Sequence, residues 1–187
     1  MSTAISQRRF TVEEFHRMGE TGILRDDDRV ELLDGQIIQM APIGSPHAAC
    51  VDRLTRLFTE RLGGRVIVRV QGPVHIGRYS QLVPDLALLR PRDDFYAAAH
   101  PRPRDVLLLV EVADTTLAHD RRVKVPTYGR AGIRECWLVD LTNRRVEVFR
   151  EPSATHGYGE SKSVGDGESV DAISLPGLSL QIAEILG

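Results

Sequence analysis

The stretch VLLLVEVADTT, Val106 to Thr116, runs through five aliphatic residues into a glutamate and then resumes as though the acid were absent. A short, valine-rich apolar run reads as a buried strand. Side chains alternate along a strand, so Glu111 falls on the face of Leu107, Leu109 and Ala113. An unpaired carboxylate there costs on the order of several kcal/mol or takes up a proton. Something must balance it.

The preceding apolar run, LVPDLALLR, repeats the pattern, with Asp85 among Val83, Leu86, Ala87 and Leu88. Either acid alone reads most simply as an ion pair with an arginine at a strand end. Two successive strands that each commit one acid, with Lys124 downstream, point instead to a shared divalent cation. Oxygen ligands and open water positions suit Mg²⁺, with Mn²⁺ as a substitute.

Lys124 carries weight for a compositional reason. Of 24 basic residues only Lys124 and Lys162 are lysines. Where lysine survives such a bias, a task that guanidinium cannot perform becomes more plausible, because an ammonium is compact and can give up its proton. The plain alternative is a surface lysine paired with Asp120 at i, i+4 spacing.

The rest of the chain supplies a mixed α/β order. FTVEEF has Thr11 as N-cap, Glu14 completing a capping box, and Phe10 with Phe15 as a staple, which predicts a helix over 12–18. RVELLDGQIIQM is a β-hairpin about Asp34-Gly35, in a type I′ turn. GSPHAACVDRLTRLFTERLGG has Ser45 as N-cap and Pro46 at the first helical position. Its stripe of Val51, Leu54, Leu57, Phe58 and Leu62 ends at Gly63-Gly64. RVIVRVQGPVHIG, LVPDLALLR and DVLLLVEVAD read as three successive strands. RRVKVPTYGRAGI is a short helix that Pro126 places near Lys124 at its start. ECWLVDLTNRRVEVF is a strand pair about Thr142-Asn143, and EPSATHGYGESKSVGDGES a polar hairpin or loop. The expected architecture is a central mixed β-sheet flanked by helices, with an N-terminal helix and hairpin.

Length and composition frame these elements. At 187 residues with 42% hydrophobic and 5% aromatic content, a single domain over 1–187 is expected, with 1–9 flexible. A net charge of -2 disfavours coating of nucleic acid by bulk charge, though not a local basic patch. Cys50 and Cys136 are far apart and read as core residues. With no signal-peptide pattern and no apolar run near the roughly 20 residues of a membrane span, a cytoplasmic protein without membrane contact is expected.

The ordered set VPDLALL, LLLVEVADTT and DRRVKVPTYGRAGIRECWLVD, with FTVEEF, RVELLDG, GSPHAACVDRL and LPGLSL, resembles the Uma family of bacterial restriction endonucleases. That family is a branch of the PD-(D/E)XK nuclease superfamily. The resemblance implies a restriction-endonuclease-like core in which Asp85 and Glu111 bind Mg²⁺, the Val112 carbonyl adds a ligand, and a lysine organises the attacking water. Ala113 occupies the superfamily's usual lysine position. The family is similar in carrying that lysine on the next helix, here Lys124, in the pattern Asp120, Lys124, Tyr128.

Other residues rank lower. Glu31 matches an acid of the family pattern, against an exposed hairpin glutamate as the plain reading. His47 resembles a position where the family places histidine, against a surface histidine near a helix end. Tyr128 packs or positions Lys124. The remaining histidines show no metal-ligand spacing, and GYGESK lacks the context of a phosphate loop and reads as a turn. Nucleic acid contact falls to Arg90, Arg92, Arg102 and Arg104, or to Arg121 and Arg122. The sequence therefore predicts a Mg²⁺-dependent endonuclease acting on DNA, which the superfamily implies to be a homodimer. A catalytically idle nucleic-acid-binding module and a hydrolase of smaller phosphodiesters are the alternatives.

Overall fold

The computed structural model describes residues 7–25 and 27–187. The expected flexibility of 1–9 thus falls mainly outside the described residues. Within them Arg9 is held, donating to the Asp34 carbonyl at 2.8 Å and lying 4.3 Å from the Tyr79 ring.

Helix α1 (Val12–Glu20) starts at the predicted capping box. Thr11 accepts from the Glu14 amide at 3.2 Å, and Glu14 accepts from the Thr11 amide at 2.9 Å. Strands β1 (Val30–Leu33) and β2 (Gln36–Gln39) form the hairpin, whose turn has φ 49° at Asp34 and 79° at Gly35. Those two positive angles are what type I′ requires. Helix α2 (Ser45–Leu62) buries the predicted stripe, but its N-cap is Gly44, extended and without a side-chain bond. Ser45 is therefore already helical, a one-residue correction.

The apolar runs that follow do not all join one sheet. RVIVRVQGPVHIG breaks at Gln71-Gly72-Pro73 into β3 (Ile67–Val70) and β4 (Val74–Gly77). Next come β5 (Ser80–Leu82), β6 (Leu86–Leu89) and β7 (Val106–Ala113). A helical stretch of α3 (Leu117–His119), a π turn over Asp120–Lys124 and α4 (Val125–Arg130) leads to β8 (Glu135–Asp140). The chain closes with β9 (Arg145–Ser153), β10 (Gly157–Gly165), β11 (Ser169–Asp171), β12 (Ser179–Gln181) and α5 (Ile182–Leu186). GYGESK lies inside β10 and is strand, not turn.

Among the described residues the single expected sheet becomes three. The largest has the order β10-β9-β8-β7-β6-β3, the second β2-β1-β5-β4, and the third pairs β11 with β12. Only β7 and β8 pair in parallel within the largest sheet, because the helical stretch between them is a crossover. Leu108, Val110 and Val112 face one apolar cluster with α2 and α5. Leu109 and Ala113 face the other, with Leu82 of the second sheet and Tyr128 of α4. Glu111 therefore shares the face of Leu109 and Ala113, as predicted. Leu107 does not, because the β6–β7 register shifts between Leu88 and Leu89 and turns it to the opposite cluster.

The helical stretch from Leu117 to Arg130 corrects the expectation that a helix begins near Lys124. Pro126 lacks an N–H, and the turn before it widens to i→i+5, closed by the Val125 amide on the Asp120 carbonyl. The widened turn carries Pro126 within continuous helical backbone and buries both Asp120 and Lys124.

Candidate active site

Asp85 follows Pro84 at a bend, one residue before β6. It is thus not inside a strand, and its partner is not an arginine. Its Oδ2 accepts from the Val112 amide at 2.8 Å and lies 3.1 Å from His47 Nε2, while Oδ1 accepts from Gln71 Nε2 at 3.2 Å. The last residue of β7 paired with β6 is Val110, opposite Leu86. Beyond it β6 leaves that edge of β7 free, and Asp85 occupies it. The N–H and C=O of a strand residue lie on the same edge, so the Val112 carbonyl faces the side from which Asp85 approaches.

Glu111 is buried one residue earlier. Its Oε1 accepts from the Tyr128 hydroxyl at 2.5 Å and from Lys124 Nζ at 2.8 Å. Lys124 also lies 3.6 Å from Glu31 Oε2 and donates to the Val83 carbonyl at 3.3 Å. Glu31 is buried, not exposed, and accepts from the Val83 amide at 3.0 Å. Asp85, Glu111, Val112, Lys124 and Glu31 thus line one cleft of about 330 Å³, with His47, Gln71 and Asp120.

Several plain readings give way here. Lys124 does not pair with Asp120, whose Oδ2 accepts from Thr116 Oγ1 at 2.6 Å. His47 is no surface group but a partner of Asp85. Tyr128 positions Glu111, not Lys124. Arg121 is committed to Glu147, whereas Arg90, Arg92, Arg102, Arg104 and Arg122 stay exposed. Gln71 went unrecognised in the sequence, and its backbone sits at φ +45°, a left-handed conformation that costs non-glycine residues on the order of 1 kcal/mol. The turn-forming Gly72-Pro73 after an apolar run was the one local sign of it.

The electrostatics follow from this packing. Burial pushes the Glu111 carboxyl up to about 8, against the pull of Lys124 and with added repulsion from Asp85 and Asp120. Burial also works against the Lys124 ammonium, but Glu111, Glu31 and Asp120 outweigh it and raise its pKa. These two shifts conflict in part, since the first removes an anion on which the second relies. The directions that hold are a charged Lys124, because three acids converge on it, and a Glu111 that resists ionisation, because burial dominates there. Asp85 is likewise opposed by burial, yet bonds from His47, Val112 and Gln71 keep it below the usual carboxylate range. The bond to Asp85 raises His47 in turn.

These donors can be tested against a cation. Among the described residues no group of three or more His, Cys, Asp or Glu side chains is arranged to hold a metal. That disfavours a closed tetrahedral zinc site. Two carboxylates and a backbone carbonyl, all oxygen and beside open space, fit Mg²⁺, which keeps several waters and uses one or two carboxylates.

The Uma2 family model, described as "Putative restriction endonuclease", matches residues 12–183. A crystal structure of "a putative nuclease belonging to DUF820" from Anabaena variabilis superposes with a TM-score of 0.72 at 16% identity, covering 95% of this chain and 97% of that one. At that identity the likeness shows the fold, which is the restriction-endonuclease-like core expected from the sequence. No curated protein matches. Among the described residues no helix is long and apolar enough to cross a membrane.

Proposed function

The chain belongs to the Uma2 restriction endonuclease family, and from that premise we propose that it is a metal-dependent endonuclease hydrolysing phosphodiester bonds in DNA. The observation that carries this reading is the convergence of Asp85, Glu111 and the buried Lys124 on one cleft, with Lys124 Nζ 2.8 Å from Glu111. Asp85, Glu111 and the Val112 carbonyl would hold Mg²⁺ or Mn²⁺. When bound, the cation supplies neutralisation of phosphate charge and a lowered pKa for water.

The chain's own groups do the remainder. His47, Gln71 and the Val112 amide fix Asp85, and Tyr128 fixes Glu111. Lys124, held cationic, orients the attacking water or donates to a nonbridging phosphate oxygen; it does not take a proton. Glu31 keeps that amine in place from the opposite side. One cleft cuts one strand, so a homodimer belongs to the same proposal for paired cuts, and sedimentation on duplex DNA would reveal a monomer if it is mistaken.

Supercoiled plasmid incubated with Mg²⁺ or Mn²⁺ should be nicked by the wild type and left intact by Glu111→Ala. Nicking that survives in the variant would overturn the site. Metal binding without nicking by the wild type would favour an idle DNA-binding module.

A further inference from the structure

Away from the acidic cleft, three histidines without sequence proximity gather in a second cleft of about 370 Å³. Helix α1 contributes His16, β4 contributes His75 and the loop between β6 and β7 contributes His100, with Tyr96 and Arg102 beside them. The rings of His16 and His100 lie edge to face with centroids 6.1 Å apart. Among the described residues no carboxylate lines the cleft.

Its surroundings are cationic. The Arg69 and Arg92 guanidinium groups lie 5.6 and 4.4 Å from the Tyr96 ring centroid. Arg92 is bonded to Asp94 at 2.8 Å, but Arg69 and Arg102 have no ion pair among the described residues. The acids around it lie outside the lining: Asp94, which accepts the Tyr96 amide at 3.2 Å, Glu13 near His75, and Asp105, which accepts the Arg102 amide at 2.8 Å. Burial and the neighbouring cations lower both His75 and His100, as expected of imidazoles crowded by positive charge. His16 Nε2 is 2.8 Å from Gln81 Oε1, whereas the His100 ring has no hydrogen bond among the described residues.

Nothing in the function proposed above uses these residues. The loop bearing Tyr96, His100 and Arg102 is nonetheless held in a costly shape. Phe95 and Tyr96 are consecutive non-glycine residues at φ 49° and 63°, and they are tied down by Arg69 donating to the Phe95 carbonyl at 3.1 Å and by Tyr96 donating to the Arg90 carbonyl at 2.8 Å. Three imidazoles could suit a transition metal, but Arg69 and Arg102, which have no ion pair among the described residues, repel a cation. Imidazole and guanidinium donors around a recess free of acids suit an oxyanion.

We propose that this cleft is a phosphate-binding site that takes either a backbone phosphodiester of bound DNA, remote from the cleaved bond, or a free phosphate ion. β6 separates the two clefts along the chain, since Asp85 precedes Leu86 while the histidine loop follows Leu89. The DNA arm rests on the nuclease reading, and the free-phosphate arm does not.

The test uses the full chain in EDTA, so that nothing is cleaved, and follows the imidazole resonances by NMR. Sodium phosphate and a 12-base-pair duplex are titrated separately, with sodium chloride as the ionic-strength control. Shifts of the His75 and His100 rings with the duplex identify a backbone site, and shifts with phosphate alone identify a free-ion site. In the first case His100→Asn/Arg102→Gln should weaken duplex binding severalfold and flatten its salt dependence by about one to two contacts. Arg102→Gln alone, at an exposed position, guards against a folding defect. Rings that respond to neither probe overturn the proposal. A protein that leaves supercoiled plasmid intact yet moves these rings with phosphate would sink the nuclease reading and keep this one.

Discussion

With its carboxyl pushed up to about 8, Glu111 keeps a proton across a range in which an unfolded glutamate, near 4.5, has lost it. The folded state then binds more protons at this site than the unfolded state, so the contribution of Glu111 to stability is fully present below about 4.5 and is lost as pH rises through about 8. Asp120, raised by burial, and His47, raised by Asp85, act in the same direction. His75 and His100, lowered by burial, act in the opposite one. Glu111→Gln isolates the single contribution. Urea unfolding of the metal-free protein at pH 5 and pH 8 should show a loss for the wild type larger by roughly a few kcal/mol than for the variant. Equal losses would mean that Glu111 ionises normally despite its burial.

The helical stretch that aims Lys124 is fixed at its far end by the contact of α4 with β10. A Cβ on Gly129 would lie 2.0 Å from the Gly157 carbonyl oxygen, and Gly157, at φ +90°, itself presses on Pro126. Both partners are backbone, so neither can yield without moving the helix. Gly129→Ala should therefore cost about 1–3 kcal/mol and lower the thermal midpoint. Gly19→Ala in α1, where nothing lies within 4 Å, should be neutral or stabilising by up to about 1 kcal/mol. Equal midpoints for the two variants would show that the α4–β10 approach is looser than drawn. What could be read in the sequence at this scale was local: the Thr11–Glu14 capping box, the Asp34-Gly35 turn and the stripe of α2 are each set within a few residues. The π turn was not legible, because Pro126 announces only that a regular helix fails there and not that the preceding turn widens. The break at Gln71 was marked only by Gly72-Pro73, since neighbouring apolar runs do not reveal that they enter different sheets.

At the scale of the molecule, the acidic cleft lies where separate parts of the chain meet. Glu31 comes from the second sheet, Glu111 from the largest, Asp85 from the bend before β6, His47 from α2 and Lys124 from the π turn. Asp85 and Glu111 were legible because each contradicts its apolar surroundings, and Lys124 because it is one of two lysines among 24 basic residues. The contacts of Asp85 with His47 and Gln71 were not, spanning 38 and 14 residues that only the folded chain brings together. A ligand seated among groups from so many elements is lost when any one of them departs, so its binding energy adds to global stability. Mg²⁺ at about 100 times its dissociation constant should add about 2.7 kcal/mol, or roughly 5–10 °C in the midpoint of a chain this size. Glu111→Gln should abolish that increment, because an amide keeps the shape of the carboxyl but cannot give up a proton to take the cation. Calorimetric scans with Mg²⁺ and with EDTA measure it directly. A wild type that melts identically in both would deny the cleft its cation even if every side chain stands where it is described.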